Sequence, residues 1–95
     1  MVSFIVRMEY SDADRAKLEE CLRTLTAASR QEPGCVTYVP HFAKEGAPAV
    51  VIYEQYLDEA ALEQHRASPH FARYAADGLF RMTTSRHLEM MDAIA

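Results

Sequence analysis

The residues that could do chemistry are concentrated in one stretch of the chain, residues 52–71. It contains a carboxylate on a predicted strand, Glu54, and two imidazoles on predicted helices, His65 and His70. Carboxylates and imidazoles are the side chains that most often transfer protons in enzymes. The sequence therefore directs attention to proton transfer in this stretch.

Glu54 is the most unusual of these residues, because it lies in the middle of an otherwise largely apolar strand. A buried carboxylate without a partner is energetically costly. Three partners are available to it: His65, Arg7 and Arg73. A pair with His65 would orient the imidazole and raise its basicity, as a general base requires. An ion pair with an arginine would have a structural role instead.

The three histidines near this stretch differ in what their positions imply. His65 follows Leu62 by three residues and so shares the inward side of the same helix. It is either a hydrogen-bonded core histidine or a base. His70 lies in the first turn of the next helix, where it could donate or accept one hydrogen bond. His41, near the end of the second strand, could face a cleft or solvent.

Aromatic side chains at strand and helix spacing could line a pocket for a planar ligand. The candidates are Tyr38, Tyr53, Tyr56, Phe71 and Tyr74. The same spacing is also typical of ordinary core residues, so both roles stay open. The pattern does not decide whether Glu54 or Tyr53 faces the pocket from the third strand.

The sequence disfavours a metal ion or an organic cofactor. His65 and His70 are separated by five positions with Pro69 between them, so they do not share one helix face as HxxxH ligands do. Neither a cysteine pair nor a carboxylate cluster adds ligands. A glycine-rich loop for the phosphates of a nucleotide or flavin is also missing from the sequence.

Composition narrows the class of protein. Ninety-five residues support one domain, residues 1–95, and the net charge of -4 without a basic run argues against nucleic-acid binding. We find neither an apolar run of membrane-spanning length nor a secretion leader. Cys21 and Cys35 are expected to be buried thiols in a reducing compartment, which predicts a cytoplasmic protein.

Hydrophobic patterning predicts the element order βαββ(αα)β. Strands are expected at 2–10, 35–43, 49–57 and 83–93. A capping box of Ser11 and Asp14 should start the long helix, which Pro33-Gly34 ends. Asp58 should cap a short helix that ends near Ala67. Ser68-Pro69 should start another, which Gly78 closes.

This order predicts an α+β, ferredoxin-like fold, in which helices cover one face of a four-stranded antiparallel sheet. The second strand is expected to present Val36, Tyr38 and Phe42 on one side. Apolar residues such as Ile5 and Tyr53 leave the other face of the sheet without a polar surface. We therefore expect a homodimer formed through the sheet face.

The chain resembles the antibiotic biosynthesis monooxygenase family in several short segments and in element order. These segments are Glu-Pro-Gly-Cys at 32–35, Tyr-Glu-Gln-Tyr at 53–56, Leu-Glu-Gln-His at 62–65 and Ser-Pro-His-Phe at 68–71. The resemblance implies a dimeric α+β barrel built from two ferredoxin-like subunits. It also implies a pocket between the helices and the sheet of each subunit.

The activity implied by the resemblance is cofactor-free oxygenation of electron-rich aromatics such as polyketide anthrones and quinols, with molecular oxygen as co-substrate. In that reading His65 is the base or proton shuttle and Glu54 orients it. Tyr38, His41 or Arg7 would stabilise the substrate anion.

Two other functions fit the same resemblance. A bacterial isomerase of a phosphorylated autoinducer has a similar Glu, His and Pro-His pattern, and Arg7, Lys44, Arg66 and Arg73 could bind a phosphate. A dimeric ligand-binding module without catalysis is the other. The haem-degrading branch is disfavoured, because this chain has no Trp and has Ala75 where that branch has its haem-ligating histidine.

Overall fold

The computed structural model describes residues Met1–Ala95 and contains one four-stranded antiparallel sheet. The spatial order of its strands is β2-β3-β1-β4. The strands are β1 (Val2–Glu9), β2 (Cys35–Phe42), β3 (Ala49–Tyr56) and β4 (His87–Met91). The long chain connections run between strands that are not neighbours, so the topology is the predicted ferredoxin-like one.

Helices pack on one face of this sheet. A 3₁₀ turn (Asp12–Asp14) leads into α1 (Arg15–Ser29). The second crossover contains α2 (Glu59–Arg66), α3 (Phe71–Leu79) and α4 (Phe80–Met82). α3 is wound as a π-helix, and α4 continues it by one α-helical turn. The predicted α+β fold class is thus confirmed.

Alternation along β1 decides which face the helices cover. Phe4, Val6 and Met8 point inward and are buried, whereas Arg7 between them is exposed. α1 buries Leu18, Leu22 and Leu25 against the inner face. Burial of each such side chain contributes about 1.5–3 kcal/mol, which is enough to fix the register of β1.

Helix ends follow the predicted caps at two of three positions. Asp58 Oδ1 accepts a hydrogen bond from the Ala61 amide at 2.8 Å, which confirms the predicted cap of α2. Ser68 Oγ accepts one from the Phe71 amide at 3.2 Å. The capping box of Ser11 and Asp14 is not formed, because neither side chain bonds to a helix amide.

Gly78 does not end its helix, contrary to the prediction. The helix continues to Met82, and Gly78 lies where it crosses α1. A Cβ atom at this position would lie 2.9 Å from Cys21 Sγ. The glycine is therefore explained by close helix packing rather than by chain termination.

The prediction for Val36 is also wrong. Cys35 pairs with Tyr56 and Thr37 pairs with Gln55, so Val36 is an extra residue in a β-bulge. Its exposed fraction is 46%. The bulge shifts the inward–outward alternation of β2 by one residue relative to β3.

Gly34 allows the turn before β2 to approach α2 closely. A Cβ atom there would lie 2.4 Å from Ala61 Cβ. The turn before β2 therefore rests directly on α2, which fixes the separation of these two segments.

β4 is shorter than the predicted strand 83–93. Thr83 forms only an isolated bridge with Tyr10, and the Thr84 amide donates to Glu9 O at 2.8 Å. Leu88 and Met90 on the inner face of β4 remain exposed. None of the helices is both long and apolar enough to traverse a lipid bilayer.

Candidate active site

A cavity of about 290 Å³ lies between the helices and the inner face of the sheet. Eleven of its fifteen lining residues are hydrophobic. The polar and charged exceptions are Glu54, His65, Arg66 and Arg86. The apolar and aromatic lining includes Phe4, Val6, Met8, Leu25, Tyr38, Ile52, Phe71, Ala75, Leu79, Phe80 and Leu88. A few polar groups in an apolar hollow are typical of small-molecule sites.

Glu54 reaches the cavity because its side chain lies on the inner face of β3, the face that the helices cover. It pairs across the sheet with Phe4 and Tyr38, and it is 5% exposed. The Tyr56 hydroxyl donates a hydrogen bond of 2.6 Å to Glu54 Oε1. This bond compensates for part of the cost of burying the carboxyl group.

His65 lies beside Glu54 and is 3% exposed. Its Nδ1 lies 2.8 Å from Glu32 Oε2. Because a carboxylate only accepts hydrogen bonds, Nδ1–H is the donor, and neutral His65 has its lone pair on Nε2. Nε2 lies 3.6 Å from Glu54 Oε1, which is too long for a direct hydrogen bond. The structure thus brings together the predicted carboxylate and imidazole.

Burial dominates the electrostatics of this pair. It raises the pKa of Glu54 to about 7, although the Tyr56 hydrogen bond and Arg66 act in the opposite direction. Burial also lowers the pKa of His65, against the effect of Glu32. Both shifts favour the uncharged forms. A neutral imidazole can accept a proton, which is the state that a general base requires.

Sequence reasoning missed Glu32 as a site residue. His70 Nε2 also donates to Glu32 Oε2, so the carboxylate binds both imidazoles. The groups form a continuous series from the cavity to the surface: Tyr56, Glu54, His65, Glu32 and His70. The available signal was the position of Glu32 immediately before Pro33-Gly34, within a segment that resembles the family.

Five of the eight predicted substrate-binding residues lie on the helix-covered side of the sheet, but only two of them line the cavity. Tyr38 and Phe71 line the cavity, and Tyr56 lies behind Glu54. His70 lies at the surface end of this series, where it binds Glu32. Tyr74 packs against the core instead, where the Cys21 thiol donates to its carbonyl oxygen at 3.1 Å.

Arg7, His41 and Tyr53 lie on the opposite face of the sheet. Tyr53 pairs with Ile5, while Arg7 and His41 both pair with Val51. Because side chains alternate along a strand, all three point to the outer face of the sheet and do not line this cavity. Of the two competitors on β3, Glu54 is the one that faces the cavity.

Two arginines at the cavity were not among the predicted catalytic residues. Arg66 follows His65 directly, and Arg86 precedes β4. The Arg86 guanidinium carbon lies 3.9 Å from the centre of the Phe80 ring, a cation–π contact. These side chains supply positive charge to a cavity that is otherwise largely apolar.

Sequence comparison relates the chain to monooxygenases. The family described as "Antibiotic biosynthesis monooxygenase" matches residues 1–77. A protein of Mycobacterium tuberculosis (strain ATCC 25618 / H37Rv), named "Putative monooxygenase Rv0793", is 32% identical over 75 residues. The match covers 79% of this chain and 73% of that protein.

Solved structures share the fold over nearly all residues. A crystal structure described as an antibiotic biosynthesis monooxygenase is 25% identical, has a TM-score of 0.90, and covers 100% of both chains. PA3566 from Pseudomonas aeruginosa is 29% identical with a TM-score of 0.88. That match covers 99% of this chain and 94% of the other.

Proposed function

Since the chain belongs to the antibiotic biosynthesis monooxygenase family, we propose that it is a cofactor-independent monooxygenase of quinol-like or polyketide-like aromatic substrates. The observation that carries this proposal is the contact of His65 with Glu54 at the wall of an apolar cavity. A base inside a cavity of this kind is what activation of a phenol or enol requires.

The first step is removal of a proton from the substrate. His65 Nε2 accepts this proton, and the hydrogen bond from Nδ1–H to Glu32 holds the ring and stabilises the imidazolium that forms. Glu32 thus takes the orienting role that the sequence assigned to Glu54. Glu54 accepts a hydrogen bond from Tyr56 and, when it is ionised, places a negative charge next to Nε2.

The second step needs no external reductant. The substrate anion gives one electron to dioxygen, and the resulting radical and superoxide combine into a C–O bond. The peroxide takes back the proton from His65. Loss of water then breaks the O–O bond and a C–H bond at the same carbon, leaving a carbonyl group. One oxygen atom enters the product, the other enters water, and all electrons come from the substrate.

The lining of the cavity supports an aromatic anion as the bound species. Tyr38 and Phe71 offer ring surfaces to a planar substrate. Burial raises the pKa of Tyr38, so its hydroxyl remains a donor. Arg66 and Arg86 offer positive charge to an oxyanion. We assign these four residues to substrate binding.

Oxygen consumption tests the proposal. In the presence of a metal chelator, the protein should consume dioxygen with a reduced naphthoquinone or an anthrone, well above the autoxidation rate of the substrate. The His87→Ala variant, altered on an exposed strand position, should have the same rate. Failure to accelerate oxygen uptake with a panel of quinols and anthrones would contradict the proposal.

One observation favours a second function. The two cavity arginines could bind a phosphate, and the same base could move a proton in a small carbonyl compound. An isomerase of this kind would act without dioxygen. Rearrangement of phosphorylated hydroxyketones under anaerobic conditions, with no oxygen uptake in the assay above, would favour it. Ligand binding without turnover in either assay would favour the non-catalytic module.

We also propose that one domain, residues 1–95, forms a homodimer through the outer sheet face in the cytoplasm. Val39, Tyr53 and Ile5 form an apolar row across three strands of that face and are only half-buried in one chain. Both cysteines are free thiols, which suits a reducing compartment. Sedimentation velocity should find a dimer, and Tyr53→Asp should shift it toward monomer. A monomeric native protein would contradict the dimer.

A further inference from the structure

We propose that Glu32, His65 and His70 form a binding site for one divalent transition-metal ion, with Zn²⁺ as the best match. One carboxylate oxygen and one nitrogen of each imidazole lie within 4.8 Å of one another. Two imidazoles and one carboxylate are a frequent protein ligand set for Zn²⁺, with the fourth position left to water.

The local structure explains how residues so far apart in sequence converge. His65 lies in the last turn of α2, and His70 lies just before α3. The chain breaks its helix between them at Ser68, which turns the second imidazole toward the first. This break removes the objection drawn from their spacing, since the two ligands need not share one helix face.

The contact between Gly34 and Ala61 brings the third ligand to the same point. It holds the turn that carries Glu32 against α2. Both imidazoles already direct a nitrogen at the same oxygen, Glu32 Oε2. A metal ion would replace the bridging protons and needs only modest side-chain movement to reach bond lengths of about 2.0–2.2 Å.

Burial is graded in the way that such a site needs. The side chain of His65 is 3% exposed, whereas those of Glu32 and His70 are 15% and 20% exposed. An ion can therefore enter from solvent, and a water molecule can occupy the open position. On the inner side, His65 Nε2 faces Glu54 Oε1 at 3.6 Å. A ligating histidine commonly has a carboxylate next to its second nitrogen in this manner.

Metal binding would have a consequence for catalysis, and this part rests on the proposed function. A metal ion on Nδ1 requires the remaining hydrogen of neutral His65 to be on Nε2. Nε2 then has no lone pair for the substrate proton. The ion would therefore act as an inhibitor that locks the base, rather than as a cofactor of oxygenation.

Calorimetric titration with Zn²⁺ tests the site directly. Protein treated with chelator and then dialysed should bind one Zn²⁺ per chain. Glu32→Gln, which preserves size and can still accept a hydrogen bond, and His70→Ala should each weaken binding by at least about tenfold. The matched control is the double variant His41→Ala/His87→Ala, which removes the two remaining imidazoles of the chain and should bind as the native protein does.

Circular dichroism of each variant establishes that it is folded before titration. Absence of Zn²⁺ binding to the native protein would overturn the proposal. A Zn²⁺ affinity of Glu32→Gln or His70→Ala equal to that of the native protein would overturn it as well. So would loss of Zn²⁺ binding in the control variant. Because the oxygen-consumption assay contains chelator, its failure would concern the monooxygenase and not the metal site.

Discussion

Replacing His65 with alanine is expected to lower the rate of oxygen consumption by about 10²- to 10⁴-fold, the usual effect of removing a general base. The variant loses the lone pair that receives the substrate proton, while Glu54 and the apolar walls of the cavity remain. Steady-state oxygen uptake with the best quinol or anthrone, in the presence of chelator, measures the change.

A structural role for His65 would have a different signature. The rate of His65→Ala should recover in part when imidazole is added, because the cavity left by the ring can admit a small base. Binding of a non-reactive quinone, followed by fluorescence, should change far less than the rate. A variant with normal turnover but a sharply lower melting temperature would contradict the catalytic role.

The Glu54→Gln variant is expected to gain stability relative to the native protein as the pH rises. Burial raises the pKa of folded Glu54 from an ordinary value of 4.5 to about 7. The folded state therefore holds its proton in a pH range where the unfolded chain has lost it, so native stability falls with increasing pH across this range. Above pH 7 buried Glu54 is ionised, and its ionisation lowers the free energy of unfolding by about 3 kcal/mol.

Urea denaturation of both proteins at pH 4.5, 6 and 8, with chelator present, measures this difference. The contribution of His65, whose pKa is lowered by burial, is common to both proteins and should largely cancel. The difference in unfolding free energy should widen with pH in favour of Glu54→Gln. Parallel curves for the two proteins would mean that Glu54 titrates alike in the folded and unfolded states.

The sequence predicted the fold well because its signals are periodic and local. Alternation identifies β1, and the spacing of Leu18, Leu22 and Leu25 identifies α1. The errors occur where a contact with a distant segment overrides the local signal. Gly78 resembles a helix end but serves the crossing with Cys21, and Val36 resembles an inward residue but forms a bulge.

The candidate site was only partly predictable. A carboxylate in the middle of an apolar strand predicts a nearby partner, because burying it alone is costly. Glu54 does lie beside His65. Glu32 gives no comparable signal, because an acidic residue after a helix is ordinary at the surface. Alternation along β1 already places Arg7 opposite the apolar row of Phe4, Val6 and Met8. The face of Tyr53 could not be inferred, since β3 has apolar residues on both sides.

The glycine at position 34 has a consequence for how this site could vary. The spacing between the acidic anchor at 32 and the imidazole at 65 is set by backbone packed against a methyl group, with no side chain in between. Substitutions at this contact cannot change the spacing in small steps, since even one added carbon atom would force the two segments apart. Divergence toward new substrates should therefore proceed where the exposed Leu88 lines the cavity from the edge strand β4.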